Sequence, residues 1–192
     1  MIAFGTHGGV SKLELVKVQQ GGKLQKIASI NACISSALTH LDWTLDSSVV
    51  VLNSQASELY WIDVNSKKPV NASSTVGFDY ATWSCTFGFP VQGIWPGVDY
   101  SDVNAVARSR NGELLATGDD FGNVKIFKYP CVAPKAESKS YSGHSSHVTK
   151  VKFSAEDSML ITTGGGDLTV LVWQTDLAMN DPVQPMLEST NE

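Results

Sequence analysis

The chain has 192 residues, 42% of them apolar and 17% charged, with 14 Lys and Arg against 19 Asp and Glu for a net charge of −5. A chain of this length buries a core without disulfide or metal staples, and its apolar content excludes disorder throughout. The basic clusters, Lys23 to Lys26 and Lys135 to Lys139, are broken by neutral or acidic residues, so no surface is built to neutralise phosphate and no nucleic-acid partner is expected.

The opening residues MIAFGTHGGV carry neither a basic start nor an apolar stretch of signal-peptide type. No window reaches the roughly 18 consecutive apolar residues of a membrane span, so no membrane partner is expected either. Cys33, Cys85 and Cys131 stand far apart with no CxxC, which fits a reducing, cytoplasmic setting and suggests neither a disulfide framework nor a zinc site.

Along the chain, short β-branched or alternating runs alternate with Gly, Asp, Asn and Ser clusters, the pattern of antiparallel strands and tight turns. Such runs occur at Leu15 to Val18, Ser48 to Leu52, Asn123 to Phe127, Val148 to Phe153 and Thr169 to Trp173. The chain is predicted to be all-β.

Two segments repeat. Val103 to Phe127 aligns with Val148 to Trp173, offset by 45 residues at the start and 46 at the end, with the drift placed in a turn. A third copy runs from Leu38 through Trp43 and Val49 to Leu52 to Trp61, and a fourth, Ala3 to Leu13, corresponds to Ala116 to Ile126 with its first strand missing. A period of about 45 residues, with strands that close on Trp or Phe, is that of a propeller blade. The surplus between Trp61 and Phe127 falls in Val64 to Ser101, read as an elaborated connection whose aromatics, Phe78, Tyr80, Trp83, Phe87, Phe89 and Trp95, are expected to pack rather than face water.

The unit with Gly143-His144, Asp167 and Trp173 resembles a WD repeat. The resemblance implies a buried hydrogen-bonded chain on His144, Thr163, Asp167 and Trp173 that locks three strands together. The copy at Val103 to Phe127 has Phe121 where Asp would stand, and that at Leu38 to Trp61 has Gln55. Those copies are expected to rely on apolar packing.

A more specific likeness rests on Leu41-Asp-Trp43, Trp83 to Pro96, Asp102 to Ala105, Gly118-Asp-Asp-Phe-Gly to Tyr-Pro-Cys131 and Gly143-His-Ser-Ser-His-Val-Thr149. With these the sequence resembles the carboxyl-terminal WD-repeat propeller of the echinoderm microtubule-associated protein-like family. The resemblance implies a non-enzymatic cytoskeletal protein that associates with tubulin or microtubules. A general scaffold propeller is the alternative. In that family strong microtubule attachment goes with basic and coiled-coil sequence ahead of the propellers, so an acidic chain without basic runs is expected to bind weakly or through a partner.

The expected architecture is an incomplete propeller of about three and a half blades over residues 1–176, with units at 1–18, 34–64, 99–130 and 143–176, an elaborated segment at 65–98 and a flexible tail at 177–192. Open blade edges suggest self-association, or a longer product of which this is a part.

Chemistry is sparse. His144-Ser-Ser-His147 with Asp167 has the residue types of a hydrolytic triad but no Gly-x-Ser-x-Gly elbow, so no catalytic residues are expected. His7, His40, His144 and His147 lie at no ligand spacing, and Gly164 to Gly166 lacks the Lys and Ser/Thr of a phosphate loop, so neither metal nor cofactor is expected. Asp119 and Asp120 beside Phe121 resemble an acidic recognition patch but suit an ordinary turn before Gly122.

Overall fold

The computed structural model describes residues 1–6, 11–31, 34–95 and 103–175. His7, Cys33, Pro96, Asp102 and the tail at 177–192 lie outside them. The strands are β1 (Ile2–Thr6), β2 (Lys12–Val18), β3 (Leu24–Ile30), β4 (Leu38–Trp43), β5 (Val49–Ser54), β6 (Leu59–Asp63), β7 (Lys68–Pro69), β8 (Val103–Arg108), β9 (Leu114–Asp119), β10 (Asn123–Lys128), β11 (Ser138–Ser142), β12 (Val148–Phe153), β13 (Met159–Gly164) and β14 (Val170–Gln174).

Strands adjacent in sequence pair antiparallel, giving sheets β1-β2-β3, β4-β5-β6-β7, β8-β9-β10-β11 and β12-β13-β14. Each is the up-and-down meander of a propeller blade. The fold is all-β, an incomplete β-propeller, as the repeat pattern predicts. The fourth strands β7 and β11 fall beyond the units expected at 34–64 and 99–130, because neither carries an apolar run to mark it in the sequence.

Contacts divide the chain into two compact units, Met1–Phe87 and Gly88–Glu192. In the first, β5 is buried along its whole length because both faces of its sheet are covered. On one face Val50 and Leu52 join Leu13, Leu15, Ile30 and Ile62 in a shared core. On the other, the segment after β7 returns along the sheet: Thr44 bridges Tyr80, Trp83 is buried, and Asn53 bonds the Phe87 backbone in both directions.

In the second unit, Ala105, Ala107, Ala116, Val124 and Ile126 of one sheet meet Val148, Val151, Phe153, Leu160 and Trp173 of the next. Small residues on β8 and β9 let the sheets approach: a Cβ on Gly118 would stand 2.7 Å from Val148 Cβ. The repeat register is kept. Val103 and Val148 both precede a bulge in the first strand of their blades, as Leu38 does in the first unit. The drift lies in the second turn, where Gly118 pairs with Val124 but Thr163 with Val170.

One aromatic departs from expectation. Phe89 is 68% exposed. It begins a 3₁₀ turn, Phe89–Ile94, in which residues three apart share a side, so the buried Val91 and Ile94 occupy the inner side and Phe89 the outer.

Candidate functional site

The residues expected to form the polar chain meet in the last blade, with one substitution. His144 lies in the loop between β11 and β12, Asp167 in the turn between β13 and β14, and Trp173 near the end of β14. His144 Nδ1 is 3.0 Å from Asp167 Oδ2 and 2.9 Å from Thr169 Oγ1. Its Nε2 is 2.8 Å from Thr162 Oγ1, which accepts the Trp173 indole N–H at 2.9 Å.

The hydroxyl in this chain is therefore that of Thr162, not Thr163. Successive side chains on a strand face opposite ways. Leu160 pairs with Trp173, so Thr162, two residues on, lies on the indole's face, whereas Thr163 turns away and meets Thr149 Oγ1 at 2.8 Å. Strand alternation could have made that choice from the sequence.

Donors and acceptors fix the proton order. Trp173 donates to Thr162, Thr162 donates to Nε2, and Nδ1–H donates toward Asp167, so every member is satisfied. Burial works against the Asp167 carboxylate. Hydrogen bonds from Thr169 N and Oγ1, His144 and Ser145 N outweigh it and hold its carboxyl below the usual Asp range.

The arrangement holds the types of a triad, hydroxyl, imidazole and carboxylate, but the Thr162 side chain is committed to the indole and fully buried. Ser146 Oγ instead meets His147 Nδ1 at 3.1 Å and accepts from Gly166 N, and Gly165 N donates to His147 O. The Gly164 to Gly166 run thus packs as a turn against the His147 loop. Among the described residues no three His, Cys, Asp or Glu group as metal ligands, and no helix is long and apolar enough to cross a membrane.

Three further carboxylates organise backbone rather than solvent. Buried Asp42 accepts from Thr82 Oγ1 at 2.6 Å and from the amides of Ser84 and Cys85 at 2.6 and 2.9 Å, clamping the returning segment onto β4. Asp157, in the β12–β13 turn, accepts from Arg110 N and Asn111 N at 2.8 Å each, tying that turn to the equivalent turn of the preceding blade. Asp119 closes its own turn by accepting from Phe121 N and Asn123 N at 3.0 and 2.8 Å. The tasks of Asp42 and Asp157 are not signalled by spacing in the sequence, whereas Asp119 has the turn position that the sequence suits.

Residues 1–175 match the family described as the echinoderm microtubule-associated protein second beta-propeller. Echinoderm microtubule-associated protein-like 2 of Mus musculus is 47% identical over 177 residues, covering 90% of this chain and 27% of that protein. Echinoderm microtubule-associated protein-like 1 of Rattus norvegicus is 44% identical, with 90% and 21% covered, and the 77 kDa echinoderm microtubule-associated protein of Lytechinus variegatus is 42% identical, with 90% and 26% covered. The chain spans about a quarter of the length of these relatives. The solved β-propeller domain of Myceliophteria thermophila Swd1 superposes with a TM-score of 0.61 at 14% identity, covering 97% of this chain and 73% of that one, a likeness of fold. The chain belongs to the echinoderm microtubule-associated protein-like family, and residues 1–175 correspond to the second β-propeller of that family.

Proposed function

We propose that this chain is a non-enzymatic, protein-binding propeller portion that associates with tubulin or microtubules in the cytoplasm. The observation that carries the reading is the match of residues 1–175 to a microtubule-associated family's propeller, together with relatives that bear that description. Burial of the His144, Thr162, Asp167 and Trp173 chain supports a structural task for the residues with most chemistry, the locking together of the last blade's strands and loops.

Association by this chain alone is weak, because no basic run offers long-range attraction to an acidic polymer. Each sheet ends in edge strands, and an open blade edge favours pairing with another chain, so self-association through such edges accompanies the function. Co-sedimentation with polymerised tubulin tests the reading. Saturable pelleting of the chain with polymer supports it; recovery entirely in the supernatant, with and without added cytoplasmic extract, favours a scaffold propeller of another system.

A further inference from the structure

The turn between β9 and β10 holds an aromatic ring and a carboxylate out into solvent on a rigid base. Asp119, with its side chain 3% exposed, binds the amides of Phe121 and Asn123 and the Asn123 side chain, and lies 3.7 Å from Lys125 Nζ. Gly122, at φ +82°, closes the turn, and a Cβ there would stand 2.5 Å from His144 O and 2.9 Å from Ser146 O. The turn is therefore seated on the loop before β12. At its tip Phe121 is 70% exposed, and the Asp120 carboxylate is fixed by Asn104 Nδ2 at 2.7 Å.

On the far side of the same loop lies the β13–β14 turn. Gly165 packs on the His147 imidazole, a Cβ on Gly166 would meet Ser146 Oγ at 2.8 Å, and Leu168 is 89% exposed. Residues 118–123, 143–147 and 164–169 thus form one continuous face, with Asp at 119, 120 and 167 and with neither Lys nor Arg. Lys125 pairs with Asp119, and hydrogen bonds occupy Asp167. Asp120 is the carboxylate of the three that stands exposed, and it adjoins the exposed Phe121 in sequence.

We propose that this loop face binds an arginine- or lysine-bearing segment of a partner protein, the cation resting on Phe121 beside Asp120 and an apolar neighbour covering Leu168. An aromatic face attracts a cation, and an adjoining carboxylate supplies the hydrogen-bond acceptor that guanidinium or ammonium requires. Acidic loops disfavour a phosphate-bearing or acidic occupant, which separates this surface from the tubulin association proposed above. Fixing the Phe121 backbone through Asp119 lowers the ordering cost of binding.

Fluorescence anisotropy of the full chain with a fluorescein-labelled peptide of alternating arginine and leucine tests the proposal, with a glutamate and leucine peptide as its counterpart. Saturable binding of the arginine peptide is expected, weakened about three- to tenfold by either D120N or F121A and reduced by salt. F121L keeps apolar bulk but removes the ring, and is expected to weaken binding as well. Thermal melting should be unchanged in all three variants, since both side chains are exposed. Equal affinity of wild type and variants for the arginine peptide, equal binding of the glutamate peptide, or no saturable binding would overturn the proposal.

Discussion

Trp173 and Thr162 share a hydrogen bond, indole Nε1 to Oγ1 at 2.9 Å, and through it the proton order of the last blade is set. Replacing Thr162 with Val would leave the indole N–H and His144 Nε2 unpaired in the core. The expected loss is about 2–6 kcal/mol, at about 1–3 kcal/mol for each of the two buried orphans. Thr163→Val removes a hydroxyl pair with the partly buried Thr149, for about 1 kcal/mol or less. Urea denaturation of the two variants checks the difference, and equal losses would contradict the assignment of Thr162.

The blade repeat was legible because it is written in apolar period and turn residues, which the fold cannot vary without exposing its core. Trp173, His144 and Asp167 were legible only through the resemblance to a WD repeat, in which each has a fixed place, because the other copies in this chain lack the Asp and the Gly-His. Thr162 required the further step of asking which face of β13 the indole covers. Asp42 and Asp157 were out of reach, since their partners are backbone amides 40 or more residues away, and an amide has no residue type to recognise. Phe89 shows the same limit, because the sequence does not mark which side of a single 3₁₀ turn faces inward.

Asp157 supports a second prediction. Its carboxylate holds the amides of Arg110 and Asn111, while its own backbone sits at φ +56°. Asp157→Gly suits the backbone but loses both caps, so a net cost of about 1–2 kcal/mol is expected, because bonds to a charged acceptor outweigh the relief of strain. Amide hydrogen exchange should quicken at Arg110 and Asn111 in this variant. Unchanged protection there would show that the turns do not depend on the clamp.

Asp42→Ala removes the acceptor for three groups of the returning segment, Thr82, Ser84 and Cys85. The expected loss is about 3 kcal/mol or more, from orphaned buried amides. Buried Cys85 should then react with a thiol reagent under native conditions, where the parent chain protects it. An unreactive Cys85 in a destabilised variant would show that other contacts hold the segment.

Alkaline pH gives a fourth prediction. Burial pushes the Cys131 thiol up to about 11 from an ordinary 9.0. Cys85 is raised as well, first by burial and then by the Asp42 charge. The folded chain therefore keeps protons that the unfolded chain releases. This contribution is intact below about pH 8.5 and declines through about pH 11, with a slope of up to about 1.4 kcal/mol per pH unit for each thiol. Stability from urea titrations should fall across that window, and Cys131→Ala should flatten the decline. A flat profile in the parent chain would contradict the burial of both thiols.

The proposed association of the propeller portion with microtubules is weak and does not rest on a basic region. A co-sedimentation series with polymerised tubulin at increasing salt checks this. Weak, saturable binding with a shallow salt dependence is expected, because few cations are released when an acidic chain meets an acidic polymer. Tight binding that collapses as salt rises would contradict it.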